Sequence, residues 1–151
     1  MGRIALLSAA ATLSLLATTA RGEPVISDAW VRAMPPTQSM TAGYLKLDNT
    51  GTRAITITGA SSDASPRVEI HTTVMRDGRQ RMQPVASLEV APGESIELAP
   101  GGHHLMLREM SAMPAEGDRV ELCLELDSGD RLCSEARVAR NAAQAPSHQH
   151  H

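Results

Sequence analysis

The chain has 151 residues, a formal net charge of −3, no Phe, one Trp, one Tyr, eight Met and two Cys. It carries no long basic run, which argues against nucleic acid or an anionic membrane surface as partner. With aromatics nearly absent, a core must come from Val, Ile, Leu, Ala and part of the Met complement, so a single Met is weak evidence for a ligand.

In chain order, Arg3 precedes an apolar run over 4–16 and small residues over 17–22. This is the layout of a secretory signal cleaved after Ala20 or Gly22. The run is too short to span a bilayer comfortably, and no later segment is long and apolar enough to do so. The expected organisation is a cleaved leader over 1–22, one β domain over 23–140 and a tail over 141–151. Cleavage after Gly22 removes Arg3 and Arg21 and takes the charge from −3 to −5. About 129 residues remain, enough for one domain with its own core.

Short strands are predicted over 25–31, 42–47, 53–58, 67–74, 81–85, 95–98, 104–108, 119–126 and 131–138. Many alternate with period two, as do Val120, Leu122, Leu124 and Leu126. Turn chemistry separates them: Met34-Pro35-Pro36, Asn49-Thr50-Gly51, Asp77-Gly78, Pro92-Gly93 and Pro100-Gly101-Gly102. No segment after the leader has a capped helical period. The expected class is all-β, a single-domain sandwich or small barrel with Greek-key connections.

Cys123 and Cys133 flank a hairpin pattern closed by Asp127-Ser128-Gly129. A three-residue loop there places the two cysteines opposite each other as a close, non-hydrogen-bonded pair. In an exported chain this predicts a disulfide, with a redox dithiol or a metal thiolate pair as the alternatives. The tail is low in hydrophobicity and is predicted to be disordered. Its His148, His150 and His151 form a candidate auxiliary metal site, with a solvated tail of no role as the alternative.

His71, Met82, His104 and Met106 stand at His-x10-Met-x21-His-x-Met spacing. Two imidazoles and two thioethers make a soft, neutral donor set suited to Cu(I). In the strand HLML, His104 and Met106 leave one face while His103 leaves the other. With Asp77-Gly78 as a two-residue turn, His71 lies opposite Pro84 and diagonal to Met82 on a shared face. Local geometry therefore pairs the ligands within each half of the motif, but nothing in the spacing brings the halves together. The plainer alternative is Met106 in the core and a solvated His104, with Met110 and Met113 as packing residues.

The stretch over 68–107, VEIHTTVMRDGRQRMQPVASLEVAPGESIELAPGGHHLML, resembles the PCuAC-type periplasmic copper chaperones in both the spacing and the Pro-Gly-Gly-x-His-x-Met-Leu context. DAWVRAMPP and MTAGYLKLDNTG also look like that family's opening strands, so the resemblance runs over about 26–138. It implies a periplasmic, cupredoxin-like β-barrel holding Cu(I) through His71, Met82, His104 and Met106. It further implies delivery of copper to the copper centre of haem-copper (cytochrome c) oxidase, to its copper-centre subunit directly or through Sco-type proteins. Thr72 departs from the Met that many members carry there, and the cysteine pair lies outside the pattern.

Two other functions compete. A blue-copper electron carrier needs a Cys thiolate beside two His and an axial Met, and neither cysteine sits in such a loop. A metal-free sandwich serving adhesion or assembly would take up no copper under reducing conditions. No nucleophile elbow or Cys-His pairing suggests an enzyme.

Overall fold

The computed structural model describes residues 22–144. Ten strands follow one another: β1 (Val25–Arg32), β2 (Thr41–Asp48), β3 (Ile55–Ser62), β4 (Arg67–Arg76), β5 (Arg79–Pro84), β6 (Leu88–Val90), β7 (Ser95–Leu98), β8 (His104–Arg108), β9 (Arg119–Leu126) and β10 (Arg131–Ala139). They hydrogen-bond in the order β5-β4-β8-β2-β1-β10-β9-β3-β6, with β7 also on β2. The β1–β10 pair is parallel and the other strand pairs are antiparallel. No helix among the described residues is long and apolar enough to cross a membrane.

All strands but β5 turn residues onto one apolar core, in which Val31, Leu47, Ile57, Leu105, Leu107, Leu122, Leu124 and Val138 are fully excluded from water. The architecture is all-β and cupredoxin-like. β9 carries the alternation most plainly: Val120, Leu122, Leu124 and Leu126 are buried while Arg119, Glu121 and Glu125 are exposed. Both aromatic residues stand outside this core. Trp30 and Tyr44 pair with ring centroids 4.5 Å apart on the opposite face of the sheet, beside Ala139. A bulge in β1 between Ser27 and Trp30, with Asp28 at φ 51°, resets the alternation so that Val31 faces the core and Trp30 faces away.

β7 and β8 lie along the same edge of β2. Leu98 pairs with Leu45, and Leu105 pairs with Gly43. The residues between them, 99–103, leave the ladder as a loop with Gly101 at φ 86°. That excursion delivers His104 to the start of β8.

The β9–β10 hairpin closes as expected. Leu126 N–H donates to the Asp130 carbonyl and Gly129, at φ 89°, donates to the Leu126 carbonyl. Cys123 and Cys133 oppose each other with Cα atoms 4.0 Å apart and are joined by a disulfide. The bond spans 10 positions, and closing so short a loop in the unfolded chain corresponds to roughly 2.5 kcal/mol in the chain-entropy account.

Several strand ends shift by one or two residues from the sequence expectation, and three departures are larger or of another kind. β3 begins at Ile55 and runs to Ser62, later than 53–58. The cause is Asn49, 1% exposed, whose amide donates to the carbonyls of Arg53, Val90 and Ala91 and so holds residue 53 in the preceding turn. β6 was not anticipated, because three residues are too few to display a period. A 3-10 turn, Ala142–Gln144, occupies the start of the segment expected to be disordered. The leader, apart from Gly22, and the tail from 145, including His148, His150 and His151, lie outside the described residues.

Candidate metal centre

β4 is hydrogen-bonded to β5 on one side and to β8 on the other. Asp77 and Gly78, at φ 52° and 71°, form the left-handed two-residue turn that sets the first register, so His71 opposes Pro84 and Thr73 opposes Met82. In the second register His71 opposes His104 and Glu69 opposes Met106. Directly opposed residues share a face, so all four motif residues stand on the outer side of one three-stranded region. The halves of the motif meet across the β4–β8 ladder, with the two imidazole centroids 5.9 Å apart.

Each imidazole is oriented by an acceptor on one nitrogen. His104 Nδ1 lies 3.1 Å from the Gly102 carbonyl, which can only accept, so Nδ1 carries the proton and Nε2 keeps its lone pair. The same carbonyl receives the Thr73 N–H. His71 Nε2 lies 2.9 Å from Glu69 Oε2, which assigns its proton to Nε2 and leaves Nδ1 as the donor atom. His104 Nε2 and His71 Nδ1 are both buried and without a hydrogen-bond partner; His103 Nδ1 is unpartnered too, but it stands before β8, outside the β4–β8 ladder. Buried polar atoms are ordinarily paired. Two orphaned lone pairs on facing strands, with Met82 and Met106 on the same face, are chemically matched to one soft cation.

Glu69 was not singled out by the sequence reading, although period-two spacing from His71 already put it on that face. Its carboxylate accepts from His71, from Arg108 at 3.2 Å and from Arg67 Nε at 2.7 Å. These partners hold its pKa down to about 2, the His71 hydrogen bond contributing most. A depressed carboxylate contributes stability that is present above its unfolded value near 4.5 and is lost as pH falls toward about 2. In a side-chain carboxyl NMR titration, Glu69 is therefore expected to stay charged to about pH 2; a midpoint near 4.5 would show the clamp to be absent.

Burial pushes the His104 imidazole below the ordinary value of 6.5, opposed by the Gly102 carbonyl and reinforced by the nearby His71, His103 and Arg32. The neutral, metal-competent form is thereby favoured. The unfolded chain takes up the proton first, so this residue lowers stability as pH falls through 6.5. On the far side of His104 stands Tyr44, at a centroid distance of 6.5 Å, with the Arg32 guanidinium 5.6 Å over its ring. A row of rings thus runs from Trp30 through Tyr44 to His104 and His71.

The exposures of the motif residues differ sharply. His104 is 2% exposed, and Met82, on the edge strand β5, is 61% exposed. Met110 is buried in the core and Met113 packs against it, so these two are packing residues. His103 precedes β8 and is partly buried. The one cluster of His, Cys, Asp or Glu with metal-like proximity among the described residues is Glu121, Cys123 and Cys133, and the disulfide consumes both of its sulfurs.

Relatives fit this fold. Apo-DR1885 from Deinococcus radiodurans is 26% identical, with a TM-score of 0.61 over 93% of this chain and 97% of that one. The Cu(I) form of DR1885 gives the same identity and TM-score over 83% and 84%. The copper-bound PCuAC domain from PmoF2, at 22% identity, shares the fold with a TM-score of 0.64 over 80% of this chain and 95% of that one. By sequence, "Putative lipoprotein Lxx21020" of Leifsonia xyli subsp. xyli is 33% identical over 105 residues. That match covers 69% of this chain and 62% of the relative, so the chain spans less than two thirds of that protein's length. A family model described as "LpqE-like: Putative lipoprotein LpqE-like" matches residues 25–138. The chain belongs to the LpqE-like family.

Proposed function

We propose that this protein is an exported, periplasmic Cu(I) carrier that holds one ion through His71 Nδ1, His104 Nε2 and the thioethers of Met82 and Met106. The observation that carries the reading is the pair of buried, unpartnered imidazole nitrogens on adjacent strands, with both thioethers on their face. The DR1885 structure determined with Cu(I) supports the choice of ion. Neutral N and S donors suit Cu(I), do not oxidise to a disulfide and need no thiol deprotonation. Glu69 and the Gly102 carbonyl then act as outer partners that hold the rings and their tautomers.

The cargo goes to a copper-accepting protein, an oxidase copper-centre subunit or a Sco-type protein, by exchange of one ligand at a time. His148, His150 and His151 add a separate Cu(II) site in the tail. Because Cys123 and Cys133 are bonded to each other, no thiolate is available for blue copper, which favours a carrier over an electron-transfer protein. No catalytic role is assigned.

Separate anaerobic Cu(I) and aerobic Cu(II) titrations test the proposal. The chain starting at 23 is expected to take one Cu(I) whether or not 145–151 are present, and Cu(II) only when they are. Replacing His71, Met82, His104 and Met106 together is expected to abolish Cu(I) uptake. Unchanged Cu(I) stoichiometry in that variant would sink the assignment.

A further inference from the structure

The most exposed large apolar side chains among the described residues are Met75, at 66%, and Met82, at 61%. They are neighbours. In the β4–β5 register Met75 opposes Gln80 and Thr73 opposes Met82, so Met75 and Met82 are diagonal across the hairpin. Both leave the face that carries His71. Diagonal positions lie about 7–8 Å apart at the backbone, within reach of two flexible thioether side chains. Met75 is the last residue but one of β4, next to the Asp77-Gly78 turn, at the tip farthest from His104.

The exposures along this face form a gradient. From the hairpin tip inward, Met75 and Met82 are open to solvent, the His71 side chain is 12% exposed and His104 is 2% exposed. An ion still bound to a partner cannot reach the buried nitrogens directly, but it can reach the two thioethers. Hairpin packing does not explain Met75, because two-thirds of its surface faces water. Its chemistry matches the donors deeper in.

We propose that Met75 is the outer ligand of an uptake and release path: Cu(I) is first shared between Met75 and Met82, then passes to His71 and His104 as Met75 lets go. This rests on the Cu(I) reading above and extends it to a residue outside the motif. The step is a ligand exchange without electron transfer. The bond to the Met75 sulfur breaks as the bond to a ring nitrogen forms, copper remains Cu(I), and Met82 stays bound throughout. Because Met75 is absent from the resting ligand set, it alters the barrier and not the end states, so uptake and release must slow by the same factor.

The test uses Met75→Leu in the full chain starting at 23, with a chromophoric Cu(I) chelator as acceptor and donor. Equilibrium competition reads affinity, and anaerobic stopped flow reads transfer in both directions. Stoichiometry of one and affinity within about twofold of the unaltered protein are expected, with both rates down roughly tenfold, equivalent to about 1.4 kcal/mol in the barrier. Met75→Gln, polar but equally without sulfur, is expected to behave alike, which separates thioether chemistry from surface hydrophobicity. Rates equal to those of the unaltered protein would overturn the proposal. So would a tenfold loss of affinity, because Met75 would then be a resident ligand. Failure of the unaltered protein to bind one Cu(I) would instead overturn the underlying reading.

Discussion

His104→Ala is expected to lower Cu(I) affinity by about a hundredfold or more, beyond what loss of an outer partner of a metal ligand usually costs. The ring is 2% exposed, its Nδ1 is committed to the Gly102 carbonyl and its Nε2 has no other partner, so removing the side chain removes a buried nitrogen already free to bind. His103→Ala is the informative comparison, being adjacent in sequence but standing just before β8 and outside its ladder with β4. It is expected to leave affinity nearly unchanged. Chelator competition across pH adds a second readout. Affinity should decline on acidification as protons compete for imidazole, and the low pKa of His104 should delay its share of that loss to below 6.5. Equal losses in the two variants would show that a place in the β4–β8 ladder does not select the ligand.

Leu105→Ala is expected to destabilise the protein by about 3–4 kcal/mol, the cost of removing a fully buried leucine and leaving a cavity. Leu105 is 0% exposed and opposes Gly43 on β2 and Ile70 on β4, so it underlies both ladders that carry the site. Urea unfolding should show a lower midpoint with an unchanged slope. Because His104 and Met106 flank this residue on the other face, metal affinity is expected to fall as well. A stability change under about 1 kcal/mol would mean that the core collapses around the gap.

The two variants divide the roles along a single five-residue strand. In β8, Leu105 and Leu107 bind the sheet to the core, while His104 and Met106 look outward toward the facing strand. The same division holds in β4, where Ile70 packs inward and Glu69 and His71 form the outer face. A polar site of this kind leaves the apolar core uninterrupted, because alternate residues of a strand serve separate environments. The disulfide lies on β9 and β10, strands that do not carry the site.

Local chemistry already wrote much of this into the sequence. Short β-rich runs between turn residues, many alternating with period two, marked nine of the ten strands, the Asp-Gly turn set His71 opposite Pro84, and HLML assigned His104 and Met106 to one face. The Asp127–Gly129 loop likewise brought Cys123 to Cys133. Each depends only on neighbours a few residues away, where turn geometry and side-chain parity suffice. The late start of β3 escaped because Asn49 draws its partners from β6 and the following turn. The aromatic pair escaped because a bulge reset the parity of β1.

Tertiary structure alone decided that β4 lies beside β8, and with it that His71 faces His104 across 33 positions of chain. Strand neighbours so distant are chosen by which arrangement buries all the leucine faces at once, a property of the whole domain and of no single segment. From that choice follow the Glu69 clamp, the Gly102 carbonyl shared by Thr73 and His104, and the two free nitrogens. The sequence by itself determined the four motif residues and the faces they take, and only the closed core decided that the two halves of the motif would lie side by side.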